Sequence, residues 1–228
     1  MLEIDKKMQG ESIREYVIRI MKMNVINLNL KPGECVSEIG ISKELGLSRT
    51  PVREAFIKLS QEELLDIIPQ KGTYVSLIDL DIVEEAKFLR KALEKAIIET
   101  SLGYITDKHI EELEENIHLQ EFYVNNKNYM KLLDLDNQFH RLIFSACKKD
   151  RIYSFMESIN IHLTRVRVLR LVAIIDIDLM LTQHKDILNA IKERDPQKIE
   201  KVMDIHTSGN VLEPETMCSL YPSYFKPR

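Results

Sequence analysis

Asp136 and His140 stand four residues apart, so on a helix they project from one face. That face also carries Leu132, Leu133, Ile143 and Phe144. His184 lies on a second apolar stripe with Leu181, Ile187, Leu188 and Ile191, and His206 on a third with Ile199, Val202 and Met203. Three helices would therefore each turn a metal-competent group into a shared core. Burying such groups without partners costs about 1–3 kcal/mol each, so a common partner is expected. A divalent cation (Zn²⁺, Ni²⁺, Mn²⁺ or Fe²⁺) suits three imidazoles and a carboxylate; a buried hydrogen-bond network is the alternative that periodicity leaves open. A second pair, Arg49 and Arg53, has the same four-residue spacing in Ser48-Arg49-Thr50-Pro51-Val52-Arg53. Arginine matches guanine O6/N7 best of the side chains, whereas two solvated helix charges would need no partner.

The elements that position these residues follow from where glycine and proline fall. Gly33, Gly40, Gly46, Gly72, Pro32, Pro51 and Pro69 crowd residues 32–72, whereas residues 73–208 hold only Gly103 and Pro196. So long a stretch with few breakers and apolar spacings of three and four predicts helices at about 79–102, 107–124, 128–147, 150–172, 176–193 and 196–207. Thr106-Asp107 and Asp195-Pro196 have the character of N-terminal caps. Short links make these six an antiparallel bundle. Residues 1–78 read differently: a helix at about 11–26, a helix ending at Gly46-Leu47, and another from Ser48 to about Glu63. Two short alternating segments, Leu65-Asp66-Ile67-Ile68 and Thr73-Tyr74-Val75-Ser76, then flank Gln70-Lys71-Gly72. The predicted fold is mostly α: a winged helix-turn-helix at 1–78, an all-α bundle of about six helices at 79–210, and a tail at 211–228.

In such a head Ser48 caps the recognition helix, leaving Arg49 and Thr50 at its first positions and Arg53 one turn on. N-terminal residues of that helix reach base edges in the major groove. The helix N-terminus with the Ser48 and Thr50 hydroxyls suits phosphate oxygens. Lys71 and Gly72, at the hairpin tip, are expected over the adjacent minor groove.

The run Leu30-Lys31-Pro32-Gly33-Glu34, Ser37-Glu38, Leu45 through Ala55, and Pro69-Gln70-Lys71-Gly72-Thr73-Tyr74-Val75 resembles the GntR family of bacterial transcriptional regulators across the whole N-terminal domain. The resemblance implies operator contacts from Arg49 and Arg53, assisted by Ser48 and Thr50, with Gly72 in the wing. Some members carry another operator-contacting arginine where this chain has Ile39. Asp136-Asn137-Gln138-Phe139-His140, His184-Lys185-Asp186-Ile187-Leu188, and a histidine 22 residues after His184 are similar to the C-terminal domain of the FadR (FCD) branch. That likeness implies metal binding by Asp136, His140, His184 and His206, and a small carboxylate effector completing the coordination. It also implies an effector contact from Arg90, which matches an arginine the branch often aims into its cavity. One of Arg165, Arg167 and Arg170, Arg165 in our assignment, is expected to assist. His109, His118 and His162 fall outside the pattern and are expected to be structural or exposed.

Composition bounds these readings. The chain has 228 residues, 44% hydrophobic and 30% charged, which suits one or two globular domains and excludes wholesale disorder. Its longest apolar run, Leu171 to Ile175, is far short of a bilayer span, and no apolar stretch follows the charged start. Cys35, Cys147 and Cys218 form no CxxC, so a disulfide framework or zinc ribbon is not suggested and a cytoplasmic protein is expected. A net charge of −4 argues against nucleic acid until it is divided: residues 1–78 carry 11 cations and 11 anions, so the acidity lies in the remainder. The function expected is a regulator, not an enzyme, binding a pseudo-palindromic double-stranded operator as a homodimer and answering to a small organic acid, with no membrane partner. The rival is a hydrolase-like metalloenzyme activating water at the histidines; the absence of HExxH or an evident general base weighs against it. In the tail, Pro214, Pro222 and Pro227 predict no helix. Leu220, Tyr221, Tyr224 and Phe225 leave disorder, or packing across the bundle or a partner subunit, as alternatives.

Overall fold

A computed structural model describes residues 2–173, 177–209 and 214–227. The expected helix start at 176 and the residues 211–213 that open the tail lie outside them. The chain divides into two compact units, Met1–Leu80 with Cys218–Arg228, and Asp81–Met217.

In the first unit three helices pack beside a small sheet. Helix α1 (Ile13–Ile26) starts at a reciprocal capping box between Ser12 and Glu15 and buries Val17, Ile20, Met21 and Val25. Helix α2 (Glu38–Leu45) is capped by Ser37, whose Oγ accepts the Gly40 N–H at 3.0 Å. It ends at Gly46, φ 67°, in the left-handed region, with the Leu47 N–H donating to Ser42 O at 2.9 Å. Those bonds close a Schellman turn that glycine enters without Cβ strain. Helix α3 (Arg49–Gln61) buries Val52, Ala55, Phe56 and Leu59. The hairpin follows, β2 (Leu65–Ile68) and β3 (Gly72–Val75), antiparallel with Leu65 opposite Val75. A strand not foreseen, β1 (Cys35–Val36), adds to the other edge of β3, giving the order β1-β3-β2. Two residues are too few for alternation to register.

The second unit is helical: α4 (Leu80–Ser101), α5 (Asp107–Asn125), α6 (Tyr129–Ala146), α7 (Asp150–Ile159), α8 (Ile161–Val172), α9 (Ile177–Glu193) and α10 (Pro196–Gly209). The single helix expected over 150–172 is two. Asn160, buried, closes α7 and opens α8 at φ −78°, ψ 10°. A one-residue interruption barely disturbs an apolar period, so spacing does not reveal it. On α7 Tyr153 and Met156 are buried, Ile152 and Phe155 exposed. Asp195 caps α10, its Oδ1 accepting the Gln197 and Lys198 N–H groups at 2.9 and 3.2 Å. The core of this unit gathers Phe139, Ile143, Phe144, Ile187, Ile191, Ile199 and Met203.

The tail corrects the expectation that its prolines bar helix. Residues Pro214–Leu220 form α11, with proline at its first position, where the missing N–H would be unsatisfied anyway. A 3₁₀ turn, Pro222–Tyr224, follows. The end of the chain belongs to the first unit. The Ile78 N–H donates to Tyr224 O (2.8 Å), the Lys226 N–H donates to Ile78 O (2.9 Å), Lys226 Nζ meets Asp79 (2.9 Å) and Phe225 is buried. Among the described residues no helix is long and apolar enough to cross a membrane.

Candidate DNA-reading face and metal centre

The N-terminal end of α3 is built for contact outward. Its Val52, Ala55, Phe56 and Leu59 face inward, so Arg49 and Arg53, one turn apart, are exposed together with Thr50 and the N-cap Ser48. The Ser48 side chain makes no capping hydrogen bond. At the wing tip Lys71 and Gly72 are exposed, and the Lys71 N–H donates to Ile68 O at 3.1 Å. Gly72 has φ 125°, a value L side chains rarely adopt, so the hairpin requires glycine there. Ile39 on α2 is 60% exposed, so the residue standing in place of an arginine is not recruited into the core.

In the helical unit His140, His184 and His206 come together from α6, α9 and α10. Their ring centroids form a near-equilateral triangle, 5.2–5.4 Å on a side, and one ring nitrogen from each lies within 4.8 Å of the others. All three are buried. His184 also stacks on Phe139 at 4.4 Å. Burial lowers the pKa of His140 to about 3, helped by the Arg90 charge, and that of His184 likewise to about 3. Burial, with the other two histidines, lowers His206 well below its ordinary value. All three are neutral imidazoles near pH 7, each with one lone pair available.

The partners of the rings decide where that lone pair points. His184 Nδ1 lies 2.8 Å from Gln120 Oε1, His206 Nδ1 3.2 Å from Gln183 Oε1, and His140 Nδ1 3.2 Å from Glu94 Oε1. Each of these oxygens accepts, so each Nδ1 carries the proton and each Nε2 the lone pair. Nε2 of His140 and of His184 is buried with no hydrogen-bond partner. Two orphaned acceptors of this kind, on α6 and α9 and beside the His206 ring of α10, fit a borderline-soft divalent cation.

Asp136 is buried beside the triangle, its Oδ1 3.6 Å from His184 Nε2. It is not one of the three groups that converge: its Oδ2 is taken by Arg167, with Arg90 3.7 Å away. Burial alone would raise its pKa, but the charges of Arg167 and Arg90, with His140 and His184, together outweigh it and hold the carboxyl well below the usual range. Glu94, Gln120 and Gln183 are the residues that sequence reasoning missed. A Glu at the fourth position after Arg90 is the one signal that was legible, since the pair shares a helix face.

A cavity of about 100 Å³ lies against this cluster, with Asp136, Glu94 and His206 in its wall. Five cations line it, Lys87, Arg90, Lys91, Arg167 and Arg170, against those two carboxylates. Of the two arginines expected to face an effector, Arg90 lines this cavity. Arg165 is fully buried and does not line the cavity, whereas Arg167 and Arg170 do. Two residues along a helix is a rotation of about 200°, so Arg165 and Arg167 cannot share a face. Of the other histidines, His109 accepts the Thr106 N–H at 3.2 Å at the start of α5, His118 is exposed and His162 is buried in α8.

Residues 85–209 match the FCD domain, and residues 13–75 match the family described as bacterial regulatory proteins, gntR family. The HTH-type transcriptional repressor RspR of Escherichia coli (strain K12) is 31% identical over 196 residues, 86% of each chain. The chain belongs to the GntR family. It is a DNA-binding transcriptional regulator with an FCD domain. The Nta operon transcriptional regulator of Aminobacter aminovorans is 24% identical over 74% of this chain and 79% of its own. Among solved structures, E. coli McbR/YncC has the same fold at a TM-score of 0.74 and 19% identity, covering 94% of this chain and 99% of its own. A GntR regulator of Rhodococcus sp. RHA1 superposes at 0.70 with 20% identity, covering 87% and 95%.

Proposed function

We propose that this GntR regulator reads a pseudo-palindromic operator as a homodimer, through a head at about 1–78, and is controlled by a small carboxylate bound at a metal centre in the helical domain of about 79–210. The observation that carries the reading is the set of neutral, buried histidines, their Nδ1 atoms turned to Glu94, Gln120 or Gln183 and Nε2 of His140 and His184 without a hydrogen-bond partner. A divalent cation there (Zn²⁺, Ni²⁺, Mn²⁺ or Fe²⁺) supplies positive charge to a carboxylate. His140, His184 and His206 hold it, and Asp136, oriented by Arg167, lies close enough to join them. Arg90, Arg167 and Arg170 give the cavity its excess of positive charge, and a guanidinium can hold a carboxylate bidentately. Arg165 has no direct part in this.

In the head, Arg49 and Arg53 enter the major groove and read base edges. Ser48 and Thr50 hold phosphates, and Lys71 and Gly72 approach the minor groove. A two-fold dimer sets two such helices one helical turn of DNA apart. The effector controls binding to the extent that it prefers one arrangement of the two heads. The protein works in the cytoplasm, where its operator is, and is not an enzyme: Asp136 and Glu94, the carboxylates nearest the histidines, are engaged by Arg167 and Arg90 and are poor general bases.

Two measurements test the reading. Elemental analysis of purified protein should find a divalent metal that His184→Ala and His206→Ala lose; equal metal content in all three rejects the site. In a gel-shift assay Arg49→Ala should weaken sequence-selective duplex binding, and unchanged affinity rejects the recognition-helix assignment.

A further inference from the structure

Glu94 stands where the two halves of the site meet. It is 2% exposed, on α4, one turn after Arg90. One oxygen, Oε1, accepts from Arg90 Nε at 2.6 Å and also lies 3.2 Å from His140 Nδ1. The other, Oε2, is 4.0 Å from His206 Nε2. A single carboxylate oxygen thus serves both a guanidinium facing the cavity and the proton that fixes the tautomer of a histidine in the triangle. His184 and His206 are held differently. Gln120 and Gln183 carry no charge, and Gln120 is anchored away from the cavity: its Nε2 donates to Asn116 Oδ1 at 2.6 Å, and Asn116 Nδ2 to Leu135 O at 3.1 Å.

Resting on the metal reading above, we propose that Glu94 is a positioning residue that couples anion binding at Arg90 to metal binding at His140. The two demands on Oε1 compete. An anion in the cavity that engages Arg90 offsets the guanidinium charge and leaves Oε1 freer to accept from His140 Nδ1–H, which makes Nε2 a stronger donor. A cation on His140 Nε2 makes Nδ1–H more acidic, draws Glu94 toward the imidazole and releases Arg90 to the anion. Linkage requires the two effects to be equal in magnitude. The His184 Nδ1 relay, running through Gln120 and Asn116 to Leu135 O, shares no acceptor with Arg90; among the described residues only Asp136, 3.6 Å from His184 Nε2 and 3.7 Å from Arg90, stands between them.

The test is titration of metal-free, full-length protein with Zn²⁺, with and without acetate, for the parent chain, Glu94→Gln and Gln120→Ala. Cobalt(II) visible spectra of the same proteins report the ligand field directly, and thermal unfolding of the metal-free forms shows that each variant is folded. Acetate should tighten Zn²⁺ binding to the parent. Glu94→Gln should bind Zn²⁺ about tenfold more weakly, change the cobalt spectrum and lose most of the acetate effect. Gln120→Ala should weaken Zn²⁺ binding while keeping the acetate effect. An acetate effect of undiminished size in Glu94→Gln overturns the proposal, since the anion then acts on the metal alone; so does unchanged Zn²⁺ affinity in that variant. A parent chain that binds no Zn²⁺ or Co²⁺ rejects the metal reading itself, and this inference with it.

Discussion

The head and the helical unit place polar chemistry on opposite sides of their packing. In the head the core is mainly apolar, Val17, Ile20, Val52, Phe56 and Leu59, and the residues proposed to contact DNA stand outside it. In the helical unit a set of polar groups is inside: Glu94, Asp136, His140, His184 and His206 are buried with Gln120 and Gln183. Charge follows the same division. Residues 1–78 are net neutral and the remainder is net −4, yet among the described residues five cations line the cavity of the acidic part. Net charge therefore says little about what either part binds; placement says more. A neutral head has little general attraction for phosphate, so operator binding should depend on a few placed contacts and fall as salt rises.

If the polar core is the costly part of the molecule, acid should find it first. His140 and His184 titrate near 3 when folded and near 6.5 when unfolded, and His206 is lowered in the same direction. Below pH 6.5 the unfolded chain binds more protons than the folded one, so stability falls as pH drops from 6.5 toward 3. The limiting slope is about 1.4 kcal/mol per pH unit for each histidine. Urea unfolding of the metal-free protein across that range should show the helical unit failing well before pH 3, and bound zinc should move the failure to lower pH. A flat profile would mean that the histidines are not buried as neutral rings.

Removing the ring that stacks on His184 attacks the same unit through packing. Phe139→Ala should destabilise it by about 3–5 kcal/mol, with amide exchange in α2 and α3 little changed. Transfer of the damage to the head would erase the distinction between the two regions. Arg49→Ala should do the reverse, leaving both unfolding transitions in place while costing about 1–3 kcal/mol of operator discrimination by fluorescence anisotropy. Smallest is Gly46→Ala, which forces a Cβ into the left-handed region and should loosen the head by about 1 kcal/mol, read as faster exchange at the end of α2.

The reading face was legible because its determinants are local. Ser48 through Arg53 is one turn of one helix, and the turn at Gly46 and the wing at Gly72 are short-range features of the same 40 residues. The tail was misread for a related reason: a proline counted as a helix breaker is harmless at a first helical position, and position depends on where the preceding chain stops. The break at Asn160 escaped because an interruption of one residue leaves the apolar period nearly intact.

For the buried site, spacing and family likeness together named the three histidines and Asp136, on the inward faces of three helices. What they could not supply is which residues stand behind them. Gln120 and Gln183 reach their histidines from across 64 and 23 residues of chain, and Glu94 meets His140 from another helix. Nor could they choose Arg167 and Arg170 over Arg165, since the rotation of α8 follows from the break before it. The sequence by itself determined the elements, their inward faces and the types of group each carries, because those depend on periodicities within a few turns. Tertiary structure alone decided which acceptor stands behind each histidine, that Asp136 is held by Arg167, and that Glu94 is shared by His140 and Arg90. Contacts between helices depend on axial rotation and packing distance, and no local period encodes either.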